Sequence, residues 1–430
     1  MAILLVQGGH VVSPDDRLDA DLDILIEDGI VCQIAPRISA LQAETLEARG
    51  QIVSPGFVDL HVHLREPGGE ISETLESGLA AAVAGGFTAV CPMPNTQPVN
   101  DSPEATRALI EKARRVGLAR VFPIAAVSRG SQGEILTDHR ALLEAGAVAF
   151  SDDGRPVKTA GLMRRALEAT RGVDVPIIDH CEDPSLSAGG AINEGPVAER
   201  LGLNGIPNSS EDVCVARDLI LAEATGARLH IAHLSTAGAV EMVRSAKRRG
   251  VRVTCEVTPH HFTLTDEAVA RYGTHAKMNP PLRSAHDVEA VQQGLADGTI
   301  DAIATDHAPH PPELKRRPLA EAPFGVIGLE TALSLALMKL VHPGTISLRR
   351  LVSLLSSNPA SIIRPAAKAT LGRLQVGSAA DITVFDVHRE WTYEAARGRS
   401  KSRNSPFDGW RLRGAVTATI VGGRTVYRRA

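Results

Sequence analysis

Aromatic side chains are scarce, 3% of 430 residues. Surfaces that bind single-stranded nucleic acid stack bases on several aromatics, so that class of function is set aside. Cysteine is sparse and scattered: Cys32, Cys91, Cys181, Cys214 and Cys255 form no CxxC pair and imply no disulfide framework. No apolar run is long enough to span a bilayer. The opening Met1-Ala2-Ile3-Leu4-Leu5-Val6 lacks a positive segment and meets Gly8-Gly9 at once, so it does not read as a signal peptide. A reducing cytoplasm is the expected compartment. Neither sign of charge dominates: the net charge of -4 gives no general attraction to nucleic acid or an anionic membrane.

What the chain does have is Phe57-Val58-Asp59-Leu60-His61-Val62-His63-Leu64. The alternation is that of a strand, with Val58, Leu60, Val62 and Leu64 expected on one face and His61 and His63 together on the other. Two adjacent imidazoles are poor core material and good zinc ligands. From about 55 to 340, β-rich runs alternate with helical stretches. The runs are 57–64, 88–94, 120–126, 147–153, 176–181, 228–234, 252–259 and 301–306. Helical spacing covers 102–116, 162–170, 210–225, 237–249, 286–296 and about 326–340. Eight strand–helix alternations predict an α/β fold, a parallel (β/α)8 TIM-like barrel. Short strands at 2–7, 21–27, 31–35 and 45–53, and again at 382–386, 415–421 and 425–428, predict a small β-rich domain built from both chain ends. The expected division is 1–54 plus 367–430 for that domain and 55–366 for the barrel. The basic, Ser-rich stretch 397–403 reads as a solvated loop.

Polar residues close the runs. His61 and His63 end the first, Asn95 follows the second, Asp153 ends the fourth, and His180, His233 and Asp306 end the fifth, sixth and eighth. Active sites of such barrels form at this end. Six potential ligands exceed the needs of one tetrahedral zinc with an open position. They suit two metals sharing a carboxylate, an arrangement that makes hydroxide available at neutral pH. Asp306 could carry protons between an attacking water and a leaving group. Asp152 and Asp153 have opposite parity, so one of them points inward, and parity alone leaves the choice open. His230 differs in parity from His233 and is expected to face the helices. His260 and His261 are placed outside the metal shell, and Cys181 reads as a small buried residue. The residues alone do not separate a cyclic amidase from a phosphotriesterase or a deaminase.

The stretch from Val53 to Gly68, containing Asp59-Leu60-His61-Val62-His63-Leu64-Arg65-Glu66-Pro67, resembles the signature of the type I dihydroorotases of the amidohydrolase superfamily. So do Met93-Pro94-Asn95-Thr96, Phe150-Ser151-Asp152-Asp153-Gly154, Asp179-His180-Cys181-Glu182 and His230-Ile231-Ala232-His233-Leu234-Ser235. Met278-Asn279-Pro280-Pro281-Leu282-Arg283, Ala304-Thr305-Asp306-His307-Ala308-Pro309-His310 and Ala322-Pro323-Phe324-Gly325 continue the likeness over essentially the whole chain. The resemblance implies two Zn2+ per subunit, with His61, His63 and Asp306 holding one, His180 and His233 the other, and Asp153 bridging. It implies substrate contacts from His63, Arg65, Asn95, Asn279, His310, Phe324 and Gly325, with Asp306 catalytic. The reaction implied is the reversible interconversion of N-carbamoyl-L-aspartate and L-dihydroorotate in pyrimidine synthesis. The carboxylated lysine of hydantoinase-like relatives has no counterpart at the end of the fourth run, since Lys158 lies beyond Gly154. Two alternatives stand beside this reading. One is another cyclic amidase, of hydantoinase or allantoinase type. The other is a silent subunit that scaffolds aspartate transcarbamoylase, which all six ligands argue against. A homodimer and a complex with aspartate transcarbamoylase are both left open. The segment 311–323, with four prolines and Lys315-Arg316-Arg317, is expected to be a mobile lid that packs poorly.

Overall fold

The computed structural model describes residues 3–430; Met1 and Ala2, the latter at the head of the first expected strand, lie outside the described residues. Eight parallel strands form the barrel. Phe57–Val62 pairs with Phe87–Pro92, which pairs with Arg120–Val121. The chain breaks at Phe122-Pro123 and resumes as Ile124–Ala125, which pairs with Ala149–Phe150. Proline has no N–H for the ladder, and the interruption falls where Pro123 stands. Ile177–Asp179, Leu229–Ile231, Val253–Val257 and Ala302–Ile303 follow in order. His307 closes the ring against Val62, its carbonyl accepting from His63 N at 2.9 Å.

Helices cover the outside, and their ends are written in the sequence. Pro103–Val116 starts at Ser102, whose hydroxyl accepts from Ala105 N, and stops at Gly117 in the left-handed region. Asn208–Thr225 and Ala237–Arg248 likewise follow the fifth and sixth strands. A small two-stranded insertion, Ile192–Asn193 with Gly205–Ile206, lies between the fifth strand and its helix and was not anticipated. No helix among the described residues is long and apolar enough to cross a membrane.

Both chain ends meet in one sheet. Its order is Arg424–Arg428, Arg411–Val421, Ile382–Thr392, Ile52–Pro55, Ile3–Ser13, Leu18–Glu27 and Ile30–Ala35, with Glu44–Glu47 added beside Ile3–Ser13. Ile52–Pro55 is the seam: parallel to Ile3–Ser13 on one side, antiparallel to Ile382–Thr392 on the other. Gly56 passes the chain into the barrel so close to Thr88 that a Cβ there would stand 2.0 Å from its Oγ1.

The strict alternation expected of the first barrel strand is not kept. Its register against Phe87–Pro92 shifts at Phe57/Val58 and again between Asp59 and Val62. Val58 and Leu60 therefore join one apolar cluster, with Ala89, Ile178 and Ile362, while Val62 and Leu64 join the other, with the helical layer.

Candidate metal centre and substrate pocket

The strands are short, and the polar residues lie just past their ends. His63, His180, His233 and Asp306 all follow the last strand residue, and Asp153 follows Phe150 by three. Three residues in this region hold positive φ without being glycine: Arg65 at 61°, His233 at 30° and Asp306 at 45°. Such backbone is costly for an L-residue and concentrates at sites where side chains must be aimed. It also defeats parity arguments. His230 lies inside the barrel rather than toward the helices, its Nε2 3.2 Å from Glu256 Oε2, which corrects the expectation. The alternation counted from His233 fails because that residue lies beyond the strand, in a left-handed turn.

Six side chains converge. His61 Nε2 stands 3.3 Å from Asp153 Oδ1 and 3.5 Å from Asp306 Oδ1. His63 Nε2 stands 3.0 Å from Asp306 Oδ1 and 3.5 Å from Asp153 Oδ2. On the other side His180 Nδ1 faces His233 Nε2 at 2.9 Å, and Asp153 Oδ1 is 3.9 and 3.8 Å from these two atoms. Ligands at ordinary zinc distances in a tetrahedron stand about 3.3 Å apart. The donor set fits two such ions with Asp153 between them. His61 Nε2 and Asp153 Oδ1 are buried without a hydrogen-bond partner, as a metal ligand's free atom would be.

The outer nitrogens are fixed by acceptors. His61 Nδ1 donates to Glu256 Oε1 at 3.0 Å, His63 Nδ1 to Asn95 Oδ1 at 2.9 Å and His180 Nε2 to Glu182 Oε2 at 2.9 Å. Each bond sets the tautomer and leaves the inner nitrogen's lone pair free. Sequence reasoning gave no role to Glu256 or Glu182. Glu256 was visible as an acid inside an apolar strand, and Glu182 stands two residues after His180. Burial pushes both carboxyls up, but their histidine partners hold each down at about 2. For Asp306 too, burial is outweighed, by the His63 hydrogen bond and the surrounding imidazoles, and the carboxyl lies well below the usual range. Asp153 behaves alike, chiefly through His61. The result is a set of ionised carboxylates aimed at an imidazole cluster.

Asp152 points away, accepting from Ser128 N at 2.9 Å, so Asp153 alone enters the site. His261 is tied to Thr258 and the Pro280 carbonyl, and burial lowers His260 to about 4; neither lines the pocket. Lys158 is exposed, and among the described residues no lysine lines the pocket. Asp179, Cys181, Cys214 and Asp218 also cluster, but the Arg217 guanidinium bonds both carboxylates there, at 3.1 and 2.7 Å. That group is a compensated ion pair.

A cavity of about 220 Å³ opens over the cluster. His63, Arg65, Asn95, Asn279, His310, Phe324 and Gly325 all line it. Arg65 Nε donates to the Pro309 carbonyl at 3.2 Å, and its outer nitrogen lies 3.4 Å from His310 Nε2. Asn279 Nδ2 donates to Glu182 at 2.6 Å, so both asparagines buttress histidines as well as facing the cavity. Burial, with Arg65 and Lys315 nearby, lowers His310 to about 3; its neutral ring donates from Nε2 to the Phe324 carbonyl at 2.7 Å. The segment after the last strand departs from expectation. Pro312–Lys315 is a short helix and Lys315 is buried, leaving Arg316 and Arg317 exposed.

A barrel carrying a His-x-His pair, two further histidines and two aspartates at its strand ends, joined to a sheet from both termini, defines an amidohydrolase. Its solved likenesses agree: the L-hydantoinase (dihydropyrimidinase) of Arthrobacter aurescens superposes with a TM-score of 0.89 at 28% identity, covering 100% of this chain and 97% of that one. A D-hydantoinase at 23% identity and a TM-score of 0.85 shares the fold. Within that class the chain belongs to the dihydroorotase family. Residues 50–239 match the Dihydro-orotase-like family model. The dihydroorotase of Citrifermentans bemidjiense is 51% identical over 426 residues, 99% of each chain, and that of Anaeromyxobacter dehalogenans 53% identical over 428 residues, 99% of this chain and 98% of the relative.

Proposed function

We propose that this chain interconverts N-carbamoyl-L-aspartate and L-dihydroorotate, as a dihydroorotase of pyrimidine synthesis, using two zinc ions held by His61, His63 and Asp306 and by His180 and His233, with Asp153 shared. The observation that carries the reading is the cavity in which His63, Asp153, His180, His233 and Asp306 meet Arg65 and His310. When bound, the ions would acidify a water and polarise the scissile amide carbonyl. The chain's own residues do the rest. Arg65 presents a guanidinium fork suited to the substrate carboxylate, an anion that simple hydantoins lack. Asn95 and Asn279 present amide groups to the ring, and Phe324 and Gly325 form a wall beside it. In the hydrolytic direction Asp306 takes the proton of the attacking water and returns it to the departing ring nitrogen; in the condensing direction the steps reverse. Asp306 is held ionised, as a base must be before it acts.

The finer assignments belong to the same proposal: a composite domain of 1–54 plus 367–430 beside a barrel domain of 55–366, a cytoplasmic enzyme, and assembly as a homodimer or with aspartate transcarbamoylase. Metal content and turnover measured on one purified sample test the core of it. Two zinc equivalents with dihydroorotate turnover, lost on chelation and restored by zinc, are expected. Preference for an uncharged 5-substituted hydantoin over dihydroorotate would overturn the substrate assignment.

A further inference from the structure

Lys315 ends the helix Pro312–Lys315 with its side chain turned inward, 3% exposed. Its Nζ donates to three main-chain carbonyls: Pro323 at 2.9 Å, Gly325 at 3.0 Å and Lys277 at 3.3 Å. Three N–H donors thus meet three acceptors. No carboxylate pairs with this ammonium among the described residues. The charged neighbour is another cation, Lys277, whose Nζ donates to Leu319 O at 2.7 Å and Ala320 O at 3.2 Å and sits 4.3 Å from the Phe324 ring centre.

Burying an ammonium without a counter-ion is unfavourable, and a second ammonium beside it adds repulsion. What the arrangement supplies is register. The three carbonyls belong to two strips of chain that meet at the pocket: Lys277 stands two residues before Asn279, and Pro323 directly precedes Phe324 and Gly325. Gly325 N donates to the Lys277 carbonyl at 2.9 Å, and Gly325 O also accepts from Asn404 Nδ2 at 3.0 Å. Gly325 itself is held at a φ of +124°, where a Cβ would come 2.7 Å from that of Ala308. The wall is therefore a turn that admits only glycine at 325 and is pinned by polar contacts, with Lys315 making three of them.

We propose that Lys315 is a positioning residue: by gathering the carbonyls of Lys277, Pro323 and Gly325 it fixes the turn that walls the substrate pocket, and so sets substrate affinity rather than the chemical step. This rests on the reading of the cavity as the dihydroorotate site. The test compares the full-length parent and Lys315→Met for zinc content, dihydroorotate kinetics and amide hydrogen exchange at Gly325. The expected result is a KM raised about ten-fold or more, a kcat within about three-fold, unchanged zinc, and Gly325 exchange faster by about ten-fold. A merely structural lysine would lower thermal stability and leave the KM of the folded enzyme in place; that outcome, or an unchanged Gly325 exchange rate, overturns the proposal. If Lys315→Met does not accumulate folded, Lys315→Gln, which keeps two donors without the charge, replaces it with the same expected split and the same overturning result. Failure of the parent to turn over dihydroorotate would count against the function alone, since Gly325 exchange still decides whether Lys315 holds the turn.

Discussion

Asp306 and Arg65 share one region and one backbone peculiarity, but their removal should read out differently. Asp306 Oδ1 lies 3.0 Å from His63 Nε2 and 3.5 Å from His61 Nε2, which is the geometry behind its proposed double role as ligand and base. Asp306→Asn keeps the shape and removes the base. Proton transfer by a positioned group contributes about 10²–10⁴-fold, and kcat should fall by that factor or more in both directions. A variant within about three-fold of the parent would remove Asp306 from the proton path. Arg65 touches no proposed ligand, so Arg65→Met should leave zinc content alone. Losing one partner of a desolvated charge pair costs about 2–5 kcal/mol. Steady-state kinetics should then show kcat/KM for dihydroorotate down by roughly thirty-fold or more. Intact kcat/KM would place the carboxylate elsewhere in the cavity.

At the scale of elements, the scaffold and the site separate cleanly. The helix Pro103–Val116 lies in the outer layer and owes its start to Ser102, whose hydroxyl takes the Ala105 amide at 3.2 Å. Ser102→Ala should cost about 1 kcal/mol, visible in urea unfolding, with kcat and KM unchanged. A loss of activity in the folded variant would mean that this helix positions the loop bearing Asn95. Such caps are legible in sequence because they are local: Ser102-Pro103 before an amphipathic run and Gly117 after it suffice. The strand-end histidines were legible for a related reason, since chemistry-bearing residues interrupt apolar runs. What sequence did not give was the direction of side chains beyond the strand ends. His230 was assigned to the wrong face because the left-handed turn that aims His233, beyond the end of its strand, is not written in the local alternation. Glu256 went unassigned because its partner His61 is distant in the chain, whereas Glu182, two residues from its partner His180, was within reach of a local reading. Lys315 was expected in a mobile, poorly packed lid, and its burial was not foreseen because a lysine among prolines carries no local sign that three carbonyls enclose it.

The whole molecule has to accommodate that lysine, and the cost should appear in its pH dependence. Burial and the neighbouring Lys277 ammonium lower Lys315 from an ordinary 10.5 to about 7. Between those values the unfolded chain holds a proton that the folded chain has released, so the unfolded state binds more protons and folding stability rises with pH. Below about pH 7 the penalty is present in full, and it is relieved progressively as pH climbs toward the unfolded value. Groups remote from Lys315 cancel when parent and variant are compared, so the difference reads Lys315 together with the Lys277 ammonium it repels. Urea unfolding of the parent and Lys315→Met at pH 7 and pH 9 should show the parent gaining about 2 kcal/mol more than the variant over that interval. Parallel pH profiles would mean that the three carbonyls hold the ammonium protonated throughout, and the clamp would then be a permanent charge in the wall of the pocket.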